Sequence, residues 1–111
     1  MAYDEALAQR IRELLATERG VAEKRMFGGL AFLVKGNMAV AASGQGGMLL
    51  RVDPEEGARY AESAGAEPMV MRGKRMDGWL RVDTEVLHAK RDLERWVSRG
   101  VTYAKSLPAK R

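Results

Sequence analysis

A chain of 111 residues with 46 % hydrophobic and 31 % charged side chains has the balance of one autonomously folding domain, not of a disordered segment. It contains no cysteine, which excludes disulfides, thiolate catalysis and thiolate metal sites and fits a reducing cytoplasm. The formal charge is +4, no apolar run approaches the roughly 20 residues that span a bilayer, and the acidic start Met-Ala-Tyr-Asp-Glu is not that of a signal peptide. The expectation is a cytoplasmic domain occupying residues 1–111, with an ordered core over about 3–107 and no membrane partner.

In chain order, Tyr3 to Arg19 has helical periodicity, with Leu7, Ile11, Leu14 and Leu15 on one stripe, Asp4 as cap and Gly20 as stop. Leu30 to Val34, Met38 to Ala42 and Met48 to Val52 read as three short strands. Gly36-Asn37 and the run Ser43-Gly-Gln-Gly-Gly47 supply the turns between them. Asp53-Pro54-Glu55-Glu56 is a helix start, with an acceptor at the cap, proline first and acids in the first turn. That helix is expected to run to about Ala64, with Ala58, Tyr60 and Ala61 inward. Pro68 to Met71 and Gly78 to Val82 read as two further strands around a basic turn, Arg72 to Asp77. A last helix is expected from a cap at Asp83 or Thr84, with Val86, Leu93, Trp96, Val97 and Ala104 on its apolar side and a break at Gly100.

The residue types that carry chemistry are sparse. His88 is the single histidine and reads as a solvated side chain beside Asp92. With no second histidine and no cysteine, a zinc site would rest on carboxylates of no characteristic spacing. None of Ser43, Ser63, Ser98 and Ser106 lies in a nucleophile-elbow context, and helix capping accounts for Asp53, Glu55 and Glu56. Phe27-Gly28-Gly29 lacks the extended glycine run of a phosphate loop, and Gly44 to Gly47 feeds a strand where a phosphate cradle feeds a helix. No cofactor, metal or catalytic residue is expected. The positive charge gathers in two places. Arg72, Lys74, Arg75 and Arg81 stand against Asp77, and Lys90 to Arg111 holds seven basic residues against Asp92 and Glu94. Such clusters attract nucleic acid or acidic protein surface and also serve as ordinary solvated surface. Trp96 lies on the apolar stripe; Trp79, among the first cluster, is open to a stacking, core or interface role.

The stretch KRMFGGLAFLVKGNM, then LLRVDPE, then PMVMRGKRMDGWLRVD and a terminal helix with Trp96, resembles the N-terminal domain of the TfoX/Sxy family of competence regulators. The string Arg25-Met26-Phe27-Gly28-Gly29, the Lys35-Gly36 turn, Leu50-Arg51-Val52 and Met76 with Gly78-Trp79 carry the resemblance from the first helix to Leu107. The resemblance implies a single α+β domain of order α-β-β-β-α-β-β-α, an antiparallel sheet packed by helices. It also implies gene regulation through contact with a DNA-bound regulator and no enzymatic activity. Full-length members carry a second, C-terminal helical domain; this sequence ends at Arg111 without one, so the expectation covers the fold more closely than a competence role.

The resulting expectation is a non-enzymatic regulatory or adaptor domain that acts by protein–protein contact. Its partner is an unidentified protein of the transcription-regulator class, and a homodimer is compatible. Direct nucleic-acid binding through the basic patch is the alternative, less favoured, and a small enzyme of unknown reaction is the second alternative. The expected contact surface is Arg72, Lys74, Arg75, Trp79 and Arg81, with Arg95 and Arg99 as neighbours. The expected structural signature is Arg25, Met26, Phe27, Gly28, Gly29, Gly36 and Gly78. Met26 and Phe27 are expected to pack on the first helix, and the glycine pair to permit a bend or close backbone approach.

Overall fold

A computed structural model describes residues 3–26, 28–62 and 65–109. The order is α1 (Glu5–Leu14), β1 (Val21–Met26), β2 (Gly29–Val34), β3 (Asn37–Ala42), β4 (Met48–Arg51), α2 (Pro54–Tyr60), β5 (Ala66–Met71), β6 (Lys74–Val82), a 3-10 turn (Thr84–Leu87) and α3 (Lys90–Ser106). The six strands form one antiparallel sheet in the order β1-β2-β3-β4-β6-β5. The α+β class and antiparallel sheet are as expected, with one strand more than the sequence showed.

That strand is β1. It pairs with β2 over six residues from Val21↔Val34 to Met26↔Gly29. Ala22, Glu23, Lys24 and Arg25 are all exposed, so no alternation of apolar residues announces it. An edge strand is held by its backbone ladder and gains from exposed charges that discourage further pairing. Met26 therefore does not pack on α1 as expected: it packs on the sheet's other face, against the cluster formed by Ala31, Met38, Ala41 and Leu49. Phe27 lies outside the described residues.

Alternation along β2, β3, β4 and β6 sends Phe32, Val34, Val40, Leu50, Leu80 and Val82 to one face. There they meet Leu7 and Ile11 of α1 and Leu93, Trp96, Val97 and Val101 of α3. Asp4 caps α1 through its Oδ1, which accepts from the Leu7 N–H at 3.1 Å, and Asp53 caps α2 by accepting from Glu55 N–H at 2.9 Å. Leu7, Ile11 and Leu15 are buried and Leu14 is half-buried, as the stripe requires. Helix α1 is shorter than its periodic pattern, because turns begin at Leu15. Helix α2 ends at Tyr60, short of Ala64, and residues 63–64 lie outside the described residues. Tyr60 and Ala61 pack against the core as expected and Gly57 is buried, while Ala58 is exposed.

The last helix starts at Lys90, later than the Asp83–Thr84 cap suggests, because residues 84–87 form a separate 3-10 turn that buries Leu87. The α1 residue Arg10 fastens this turn, donating to the Leu87 carbonyl at 2.8 Å and the His88 carbonyl at 3.1 Å. Helix α3 then continues unbroken through Gly100 to Ser106. A Cβ at Gly100 would lie 2.5 Å from the Ala39 carbonyl oxygen, so this glycine lets helix and sheet approach closely. The C-terminal end is tied to β3 by Asn37, whose Nδ2 donates to Pro108 O at 2.9 Å and reaches Ala104 O at 3.5 Å.

Candidate contact site

Strands β5 and β6 are joined by the two-residue turn Arg72-Gly73, both residues having positive φ, with Met71 opposite Lys74. The ladder then slips between Pro68 and Met69: Pro68 faces Leu80, while Met69 faces Met76. The extra residues on β6 include Gly78, at φ +83°, whose N–H and carbonyl lie against Gly57 and Val52. The expected loop from Arg72 to Asp77 is thus a tight turn followed by a continuous, irregular strand. Arg72, Lys74 and Arg75 are exposed together on this hairpin. Beside them Val70 is 63 % exposed, a large apolar side chain in water amid positive charge.

The sheet face away from the helices carries a row of residues in register: Ala31, Ala41, Leu49, Arg81 and Glu67, one from each of five strands. Ala31, Ala41 and Leu49 are buried, with Met26, Leu33, Met69 and Trp79 packed around them. Arg81 leans from this row towards the glycine-rich turn after β3. Its Nη1 donates to Ser43 Oγ at 3.2 Å and its Nη2 to the Gly46 carbonyl at 2.8 Å. The turn is closed by its own backbone, Ser43 N–H to Gly47 O at 3.0 Å and Gly46 N–H to Ser43 O at 3.1 Å. It is fastened to the 3-10 turn by the Gly47 N–H, which donates to Thr84 Oγ1 at 3.0 Å. Gly44 to Gly47 is therefore a braced turn, in keeping with the strand that follows it.

Between this turn and the hairpin runs a groove of about 570 Å3. Its apolar side is Leu49, Pro68, Met69 and Val70; its polar side is Ser43, Gln45, Glu67, Arg72 and Arg81. The fold thus brings Arg72 and Arg81 to one groove. Trp79 lies on the same face, with the Arg51 guanidinium 5.6 Å from its ring centroid, and packs onto the buried row. Arg95 and Arg99 belong to the helix layer instead. Arg95 pairs with Asp92 at 3.5 Å. Arg99 sits 4.3 Å from the Tyr60 ring centroid and 4.5 Å from that of Trp96, two rings that themselves meet edge to face at 6.2 Å. It ties α2 to α3 by cation–π contact.

Within the expected signature, Arg25 is an exposed edge-strand residue, and Gly36 shares with Lys35 the positive-φ turn between Val34 and Asn37. Ser43, Gln45, Glu67 and Val70 carry no motif and enter the groove only through the strand order. His88 is exposed, as expected. Among the described residues there is no group of three or more His, Asp or Glu placed to hold a metal ion, and no helix long and apolar enough to cross a membrane.

A family model described as the TfoX N-terminal domain matches residues 13–104 of the chain. No curated protein and no solved structure matches it.

Proposed function

The chain belongs to the TfoX N-terminal domain family, and from that premise we propose that it is a non-enzymatic regulatory or adaptor domain acting by protein–protein contact in transcription regulation. The observation that carries this reading is the β5–β6 hairpin, where Val70 is 63 % exposed among the exposed cations Arg72, Lys74 and Arg75. An apolar anchor ringed by charge is the usual make-up of a contact patch, with the anchor giving affinity and the charges orientation. The adjoining groove supports contact over catalysis. Its lining holds one carboxylate, Glu67, and the hydroxyl of Ser43 faces a guanidinium, which cannot act as a base.

The test is capture of partners from cell lysate by the wild-type chain and by a Lys74→Glu, Arg75→Glu variant. Loss of a specific partner with an unchanged circular-dichroism spectrum is the expected result. Recovery of the same partners would place the contact elsewhere. Fluorescence anisotropy with labelled DNA and RNA completes the test: micromolar binding with a steep salt dependence would favour direct nucleic-acid binding instead.

A further inference from the structure

The groove beside the hairpin gives that contact reading, on which this inference rests, a chemistry. Arg81 is half-buried, and both groups that hold its guanidinium, Ser43 Oγ and the Gly46 carbonyl, are neutral. Glu67 stands opposite Arg81 in register, yet no ion pair among the described residues joins Arg81 or Arg72 to a carboxylate. A guanidinium partly withdrawn from water and hydrogen-bonded only to neutral groups gains from an incoming carboxylate. Its two hydrogen bonds also fix it in place beforehand, so little side-chain freedom is lost on binding. The groove falls within the size range of about 300–1,000 Å3 typical of binding clefts, with four apolar residues on one side and five polar ones on the other. It runs out at β5, the edge of the sheet, so an extended chain can cross it without threading.

We infer that the groove receives an acidic segment of a partner protein, with an aspartate or glutamate carboxylate on Arg81 and Arg72 and a flanking aliphatic side chain on Met69 and Val70. Charge selects this occupant over two others. A polyanion such as nucleic acid carries a phosphate at every step and offers no aliphatic side chain to Met69 and Val70, and a second copy of this chain would bring another Arg72, Lys74 and Arg75 against the first set.

The probe is an acetylated and amidated peptide of sequence Leu-Glu-Leu-Glu-Leu, titrated into the 15N-labelled full chain. Saturable amide shifts at Leu49, Met69, Val70 and Arg81 are expected, weakening as salt rises. The glutamine analogue, Leu-Gln-Leu-Gln-Leu, is expected to bind at least about tenfold more weakly, the scale of one charge-assisted hydrogen bond. Arg81→Met should abolish the shifts but also releases the Ser43–Gly47 turn. Arg72→Glu, on an exposed turn, leaves the fold intact and should weaken binding about tenfold by the same measure. Equal binding of the glutamine analogue, shifts confined to other surfaces, or no shift at millimolar peptide overturns the inference. Hexanoate matching the peptide's affinity would assign the groove to free carboxylates, and tighter binding of a short DNA strand would assign it to nucleic acid; either result also overturns it. If the Lys74, Arg75 variant loses its partner while the peptide leaves the groove unmoved, the contact reading stands and the groove inference falls.

Discussion

The double glycine at 28 and 29 does two different jobs, and single substitutions separate them. Gly28 has φ +73° with nothing within 4 Å of an added Cβ, so Gly28→Ala meets only backbone strain. That strain costs about 1–2 kcal/mol, partly offset by about 0.4–1 kcal/mol of lost freedom in the unfolded chain, for a net loss of about 1 kcal/mol. At Gly29 an added Cβ would lie 2.0 Å from the Ala42 carbonyl oxygen and 3.0 Å from Gly44 N, both backbone atoms. Leu30 faces Ala42 across the ladder, so relief requires β2 and β3 to part by an ångström or more at this end. Hydrogen bonds near 2.9 Å do not survive such a shift. Two lost bonds at about 1 kcal/mol each, together with overpacking of about 1–3 kcal/mol, give about 3–5 kcal/mol. That is a large part of the 5–15 kcal/mol available to a domain of ordinary stability. Urea unfolding at 25 °C, followed by circular dichroism, measures both variants against the wild type. A Gly29→Ala midpoint equal to or above that of Gly28→Ala would refute the close-approach reasoning.

Gly100→Ala is expected to lower stability by about 1–2 kcal/mol. The helix-propensity gain of about 1 kcal/mol is outweighed by a Cβ placed 2.5 Å from the Ala39 carbonyl oxygen. Ser98→Ala, exposed on the same helix, should change stability by less than about 0.5 kcal/mol, and a stabilised Gly100→Ala would contradict the packing. Asn37→Asp buries a carboxylate against the carbonyls of Ala104 and Pro108, which raises its folded pKa. Its stability should therefore rise relative to wild type as pH falls and the acid becomes a donor; a pH-independent difference in urea midpoint would contradict this. Glu23 is paired with Arg12 at 2.6 Å, and the hydrogen bond from Arg12 holds its carboxyl below the ordinary range. The pair's contribution is thus present above the ordinary glutamate pKa of about 4.3 and is lost as pH falls below it. The pair is largely exposed, so the difference in urea midpoint between wild type and Glu23→Gln should be small at pH 7 and vanish in acid.

The sequence announced the elements whose stability is local. Asp4 and Asp53 cap where short-range chemistry places them, and the stripe from Leu7 to Leu15 is the buried face of α1. It did not announce β1, because a strand whose four middle residues are exposed needs no apolar alternation, only a neighbour's backbone. At Gly100 the sequence reads as a break, and the helix instead continues through a close approach to the sheet. Only the distance to Ala39 reveals it. Within the site, the exposed trio on the hairpin was legible as a charge cluster. The groove was not. Leu49 becomes the neighbour of Arg81 through a strand pairing that skips β5, and nothing local distinguishes Arg81 from Arg75.

That skipped pairing has a kinetic side. Strands β1 to β4 form a meander in which each strand follows its neighbour after a short turn, whereas Leu50 meets Leu80 across about thirty intervening residues. The β5–β6 hairpin, whose only ladder to the meander among the described residues is that between β4 and β6, is therefore expected to dock late in folding and to open early. Its amides should exchange as a group, ahead of those in β2 and β3. The groove straddles the β4–β6 seam, with Leu49 on one bank and Arg81 on the other. An occupant would bridge both banks and slow that exchange in proportion to its affinity, which makes the order of the hairpin itself a readout of whether the site is filled.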